Sequence, residues 1–219
     1  KTPAIYSSSL VFMVNEDAGA SNMGELGSIA SVLGISAGGP RGGANLVKIL
    51  QLFQSRKIVS ACLFKEIQHE GKKDFLANKF LSIYSPEWLG ENSGRGGWAK
   101  RFEGKDDFRF INSDVDSFTM DERVMFLILH ETIVGNSKFD LKPMMKSILD
   151  EDSGIMSIFF TSISEDLTVL FLENVFDQLS QFYIDKAIEK QSKTFKVAEF
   201  KRDSIAGALY TAEYKLADF

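Results

Sequence analysis

The chain has 219 residues, a net charge of −5, 44% hydrophobic residues and 25% charged residues, the composition of a folded globular domain rather than a disordered segment. The acidic balance argues against nucleic acid as a partner, because phosphate backbones demand a cationic surface. The longest uninterrupted apolar run, Val124–Leu129, is six residues, far short of the ~20 that a membrane-spanning helix needs.

The length fits one domain or a domain with an appendage. The chain opens at Lys1 without Met and without a signal-peptide pattern, so it reads as a processed protein or an excised piece, and flanking membrane segments stay open. A single cysteine, Cys62, excludes an internal disulfide. Its apolar neighbours make it a small buried hydrophobe, and periplasm and cytoplasm both remain possible compartments.

Residues 1–14 read as a strand, with Ile5, Tyr6, Leu10, Val11, Phe12, Met13 and Val14 supplying aromatic and aliphatic side chains. Residues 19–43 hold 8 of the 17 glycines around a short apolar piece, Leu26–Ile35, which makes a Gly-rich loop with an apolar patch inside it. Helical period returns over 44–68. Leu46, Ile49, Leu50 and Phe53 share one face, and Ile58, Val59, Cys62, Leu63 and Ile67 continue after Gln54-Ser55-Arg56. The phase slips across that tripeptide, so two short helices with a bend are expected, the second ended by Gly71.

Ser85-Pro86-Glu87 has the form of an N-cap followed by proline at the first helical position, whereas Glu91–Phe108 is too rich in glycine and charge to assign. Thr119-Met120-Asp121-Glu122 is a capping box ahead of the apolar run and predicts a helix over 120–134. Residues 142–149 and 155–162 flank a turn cluster, Asp150-Glu151-Asp152-Ser153-Gly154, which is a β-hairpin signal. Ser162-Ile163-Ser164-Glu165 offers a second capping signature, after which no Gly or Pro occurs until Gly207. About 55 helical residues at 1.5 Å each make a rod of roughly 80 Å.

The rod carries two apolar seams. The first is Val169, Leu172, Phe176, Leu179 and Tyr183, with Leu167, Leu170, Phe171 and Val175 as further apolar residues around it. The second steps by four and three from Ile184 through Ile188, Gln191, Phe195, Ala198, Arg202, Ile205, Leu209, Ala212, Leu216 and Phe219, with nine of eleven positions apolar. That is coiled-coil spacing, and it calls for a partner helix from another subunit or from a returning segment.

Motifs for chemistry are weak. His130-Glu131-Thr132-Ile133-Val134 starts like a zinc-protease helix, but Val134 stands where the second histidine belongs, and His69 is the only other histidine. Asp114-Val115-Asp116 starts like a calcium loop, yet Phe118 and Met125 occupy the positions of the third ligand and the bidentate Glu. Gly38-Gly39-Pro40-Arg41-Gly42-Gly43 precedes a helix but lacks the Gly-Lys-Ser/Thr ending and dinucleotide glycine spacing. No Ser/His/Asp constellation emerges, so an enzyme is not indicated. Lys186, Lys190, Lys193, Lys196, Lys201 and Arg202 outnumber the acids beside them on the rod, which suits a solvated face or contact with an anionic glycan or lipid head group.

In their order, four stretches resemble the extracytoplasmic domain of a Wzz-type polysaccharide chain-length determinant, a polysaccharide co-polymerase. They are the opening strand with Gly24–Gly39 (GELGSIASVLGISAGG), Leu50–Val59 (LQLFQSRKIV), Gly154–Ser162 (GIMSIFFTS) followed by Ser164-Glu165-Asp166-Leu167, and the long helix with Asn174 and Tyr183 near its start. Residues 84–118 match no part of the family pattern, and Phe171, Phe176 and Phe182 depart from its small-residue helix start.

The resemblance implies an α+β fold. A membrane-proximal α/β base, with an antiparallel or mixed sheet packed by helices, would span 1–163. A long C-terminal helix over 164–219, half of a helical hairpin, would protrude into the periplasm. It implies a ring-like homo-oligomer anchored by flanking spans in the inner membrane of a Gram-negative bacterium, without cofactor, metal or catalytic residues. Its role would be to set the chain length of a surface polysaccharide (the O-antigen of lipopolysaccharide, capsule or exopolysaccharide) with a Wzy-type polymerase, in contact with polysaccharide or a lipid-linked glycan. The expected subunit-interface positions are Gly34, Gly38 and Gly39 in the Gly-rich loop, Ser55 and Arg56 at the bend, and Ile188, Phe195, Ile205, Leu209 and Leu216 on the rod. Ordinary burial of the bend is an equal alternative. Competing readings are an export adaptor coupled to a tyrosine kinase, an unrelated periplasmic coiled-coil adaptor, and a nucleotide-binding protein using Gly38–Gly43. Efflux-type adaptors flank their hairpin with β-barrel and lipoyl-like strands, whereas helices dominate here before residue 135.

Overall fold

In the computed structural model the described residues are 4–13, 49–69, 71–150, 153 and 155–217. They form an α+β fold of helices and two small antiparallel sheets. Strand β1 (Tyr6–Met13) pairs with a strand far along the chain. That partner, β5 (Ile155–Ser162), also pairs with β4 (Met145–Asp150), so the order is β1-β5-β4 and β5 is central. The hairpin between β4 and β5 is the one expected over 142–162. The register places Leu10 opposite Ile158 and Met145 opposite Phe160. Along β5 the period-two alternation buries Met156, Ile158 and Phe160 on one face and leaves Ser157 and Phe159 half-buried on the other.

Onto the buried face packs the first part of a 53-residue helix, which becomes α6 once five shorter helices are counted (Glu165–Ala217). Phe171 stacks on Phe160 with ring centroids 4.2 Å apart and planes inclined by 22°. Leu167, Phe171, Leu172, Val175 and Leu179 are buried. Leu172 and Leu179 are buried as the seam predicts, but the stripe is turned toward Leu167, Phe171 and Val175: Val169 is exposed and Phe176 half-buried. The reason is that α6 lies against a sheet and a second helix together, which covers a wider face than one seam of a two-helix contact. The cap of α6 also differs from expectation. Ser164 accepts the Leu167 N–H at 3.3 Å, while Ser162 donates to the Ser164 carbonyl and accepts the Ser164 N–H.

The helix expected over 44–68 is corrected in its second half. Residues 49–53 are helical, Gln54-Ser55 form the bend, and α1 (Arg56–Leu63) follows with Ser55 as its N-cap. Beyond Leu63 the chain leaves the helix and folds as β2 (Glu66–His69) and β3 (Lys72–Phe75), a hairpin in which Ile67 sits opposite Asp74. Gly71 has φ +77° in its turn, a conformation that glycine adopts without steric cost. A helix through this segment would bury Ile67 alone, which is too little apolar surface to hold a further turn. Residues 44–48 and the Gly-rich loop lie outside the described residues.

Helix α2 (Leu76–Ile83) follows β3 directly, and two more short helices, α3 (Pro86–Asn92) and α4 (Gly96–Phe102), lie within the stretch 84–118 that matched no pattern. Ser85 caps α3 by accepting the Trp88 N–H, with Pro86 at its first position. The irregular chain from 103 to 118 is held by phenylalanines and by one amide. Phe64 meets Phe110 and Phe118 edge-on at 5.0 and 5.1 Å, and buried Asn78 both accepts the Phe110 N–H and donates to the Phe110 carbonyl. A buried amide satisfied on both ends holds the segment as a strand partner would. Helix α5 (Met120–Val134) runs through the middle, its capping box made in both directions between Thr119 and Glu122. Val124, Met125, Phe126, Ile128, Leu129 and Ile133 are buried.

Candidate functional site

Of the positions expected at an interface, Gly34, Gly38 and Gly39 lie outside the described residues. Ser55 is spent on capping, accepting the Ile58 N–H at 3.3 Å, and Arg56 is exposed at the start of α1. His130 Nε2 lies 3.2 Å from the Gln54 carbonyl at the same bend. A carbonyl only accepts, so Nε2 carries the proton and donates. Burial lowers the pKa of His130 from its ordinary value. The neighbour of Arg56, Lys57, sits over the Phe182 ring at 5.1 Å, and Lys65 pairs with Asp177 at 2.8 Å. The bend is thus tied to α6 at the end of its buried part. Farther along, Ile184, Ile188, Phe195, Ile205 and Leu209 are all exposed, and Leu216 lies in the last turns of the same helix. These exposed seam residues are not packed against the bend.

Sequence reasoning missed a cleft. A cavity of about 460 Å³ opens where β5 turns into α6. Tyr84 and Trp88 form one wall, their rings 5.1 Å apart at 39°. The Ile163 N–H donates to the Tyr84 hydroxyl oxygen at 2.9 Å, which fixes the ring against the strand end, and burial raises the Tyr84 phenol above its ordinary pKa. Thr132 and Met144 also line it, joined by the Met144 N–H donating to the Thr132 carbonyl. Asn92 and the loop residues Asp140, Leu141 and Lys142 complete the rim.

That loop has a defined shape. Gly135 ends α5 with φ +86°, and a Cβ there would lie 3.0–3.1 Å from Pro143 and the Leu141 carbonyl, so only glycine lets the returning chain approach so closely. Asn136 and Leu141 exchange two backbone hydrogen bonds of 3.0 Å. Asp140 adopts the left-handed conformation at φ +54°, which Asp and Asn tolerate best after glycine. Behind the loop, Arg95 lies over the rings of Trp98 and Phe139 at 4.0 and 4.3 Å and pairs with the largely buried Glu131 at 2.6 Å. Glu131, the second residue of the zinc-like motif, therefore serves to hold α5 to Arg95 and the Phe139 loop. The signal available in the sequence was the pair of aromatics flanking Ser85-Pro86, one of them Trp, beside an unassigned segment.

Other singled-out residues resolve into local structure. The Asp114 carboxylate accepts the Asp116 N–H. Cys62 is fully buried, and burial pushes its thiol up to about 12. Among the described residues no group of three or more His, Cys, Asp or Glu is arranged to hold a metal ion, and no helix is long and apolar enough to cross a membrane. The chain matches no protein-family model, curated protein or solved structure.

Proposed function

We propose that this chain is a non-enzymatic periplasmic scaffold of the polysaccharide co-polymerase type. It assembles side by side as a ring-like homo-oligomer, is anchored in the inner membrane of a Gram-negative bacterium, and sets the length of a surface polysaccharide with a Wzy-type polymerase. In this reading the residues up to 163 are the membrane-proximal base and α6 is the protruding half of a helical hairpin. One observation carries it: Ile188, Phe195, Ile205 and Leu209 recur at coiled-coil spacing on α6 and are all exposed. Apolar side chains repeated at that spacing are stable in water only against another helix. The order of strand, bend, hairpin and long helix supports the same assignment.

The test joins assembly to function. Phe195→Asp with Ile205→Asp is expected to break the full-length protein into smaller species in sedimentation. On a gel it should shift the polysaccharide length distribution without stopping synthesis. Unchanged assembly together with an unchanged distribution in both the double variant and a gene deletion would sink the proposal.

A further inference from the structure

The cleft at the β5–α6 junction has a chemical character that the scaffold role alone does not require. Three large apolar side chains stand exposed around it: Ile5 at 69%, Trp88 at 43% and Ile163 at 38%. Trp88 is backed by Tyr84, whose hydroxyl is held by the backbone, so the indole rests on a fixed support. The polar groups of the lining are mixed. Asp140 offers only acceptors, Lys142 only donors, and Asn92 an amide oxygen without a hydrogen bond among the described residues. Neither Asp140 nor Lys142 has an ion-pair partner among the described residues. The lining thus carries one charge of each sign, a balance that favours neither an anionic nor a cationic ligand. The cavity falls in the ~300–1,000 Å³ range of small-ligand sites and is concave, unlike the broad surfaces of protein interfaces.

A ligand for this site must show a flat apolar face to an indole and, at its edges, groups that both donate and accept without net charge. A pyranose ring does both. Its axial C–H bonds form a weakly positive face that packs on an electron-rich ring, and each hydroxyl is donor and acceptor at once. We infer that the cleft formed by Tyr84, Trp88, Asn92, Asp140, Lys142 and Ile163 binds a sugar ring of a neutral saccharide, with Trp88 as the stacking platform. The inference rests on the scaffold reading for the source of the ligand, a surface glycan, and places a glycan contact on the core rather than on the helical rod.

The probe is the cell's own surface polysaccharide, partly hydrolysed to short oligosaccharides and titrated into the purified chain. The readouts are tryptophan fluorescence and ligand-observed NMR, and inorganic phosphate and a mixed short-peptide pool form parallel arms. Saturable oligosaccharide binding is expected at millimolar affinity or better. Trp88→Ala should weaken it at least about tenfold, the loss typical of an aromatic anchor, and Trp88→Phe should weaken it less. Asp140→Asn, which keeps the left-handed backbone, should weaken binding with an unchanged thermal melt, so that a folding defect is not mistaken for a lost contact. No saturable oligosaccharide binding, or binding that Trp88→Ala leaves intact, would overturn the inference. So would a response confined to phosphate or peptide. The scaffold reading is scored separately by the deletion strain. Altered polysaccharide length without oligosaccharide binding refutes only the cleft, and binding without altered length refutes only the scaffold.

Discussion

Removing the carboxylate of Glu131 is expected to destabilise the fold and loosen the loop that walls the cleft. Arg95 and Glu131 meet at 2.6 Å with side chains only 26% and 11% exposed, and the guanidinium is sandwiched between Trp98 and Phe139. Deleting one partner of a buried pair costs about 3–5 kcal/mol, because the other charge is left desolvated and unmatched. A quarter-exposed Arg95 recovers part of this through water, so Glu131→Ala is assigned about 2–3 kcal/mol. In a chain of this size that lowers Tm by roughly 4–12 °C. Arg95→Ala should cost a similar amount, about 1 kcal/mol of it from the two ring contacts. The double variant should fall short of the sum by about 1–2 kcal/mol, the coupling of residues in direct contact.

Arg95 Nε and Glu131 Oε2 are both buried without hydrogen bonds among the described residues, so the pair is not optimal. Arg95→Met with Glu131→Leu should therefore recover most of the lost stability, since apolar replacement removes the unsatisfied atoms along with the charges. Urea denaturation of the parent and the four variants measures each quantity. A coupling below about 0.5 kcal/mol would refute the claim that the pair fastens α5 to the Phe139 loop.

Phe171→Ala should cost about 3–5 kcal/mol by opening a cavity against Phe160, and limited proteolysis should then cut within the first turns of α6; resistance equal to the parent would contradict the packing described. Cys62, with its thiol pushed up to about 12, should resist thiol reagents at neutral pH until urea unfolds the chain; rapid stoichiometric labelling of the native protein would count against it. His130 has a folded pKa below its ordinary 6.5, so the unfolded chain binds the proton more readily. Its contribution is fully present above about pH 6.5 and is lost as pH falls from there through the folded value. Stability measured from about pH 8 to 5 should decline less steeply in His130→Gln than in the parent; identical slopes would remove His130 from the account.

Local signals were legible where few residues decide a conformation. The Thr119–Glu122 capping box, Ser85 before Pro86 and the turn cluster ahead of Ile155 each specify an end of an element through hydrogen bonds or φ restriction within a few residues. The run 58–67 misled because Ile67 keeps helical phase with Leu63, while the hairpin that claims it depends on Gly71 and on pairing with Lys72–Phe75. The cleft was not legible. Its walls come from Ile5 ahead of β1, the turn after α2, α3, α5, the loop after Gly135 and the end of β5, and no window of sequence brings Trp88 to Ile163.

By itself, the sequence determined a mixed α/β composition, the capped central helix, the β4–β5 hairpin, and a long helix whose distal apolar positions recur at coiled-coil spacing. Those features rest on near-neighbour chemistry and on period, which a chain carries wherever it folds. Only the tertiary structure decided that β1 pairs with β5, that the buried stripe of α6 is turned away from Val169, and that one cleft is lined by both a lysine and an aspartate. Contacts between distant segments depend on which faces find each other, and an amino-acid count made before folding holds no record of that.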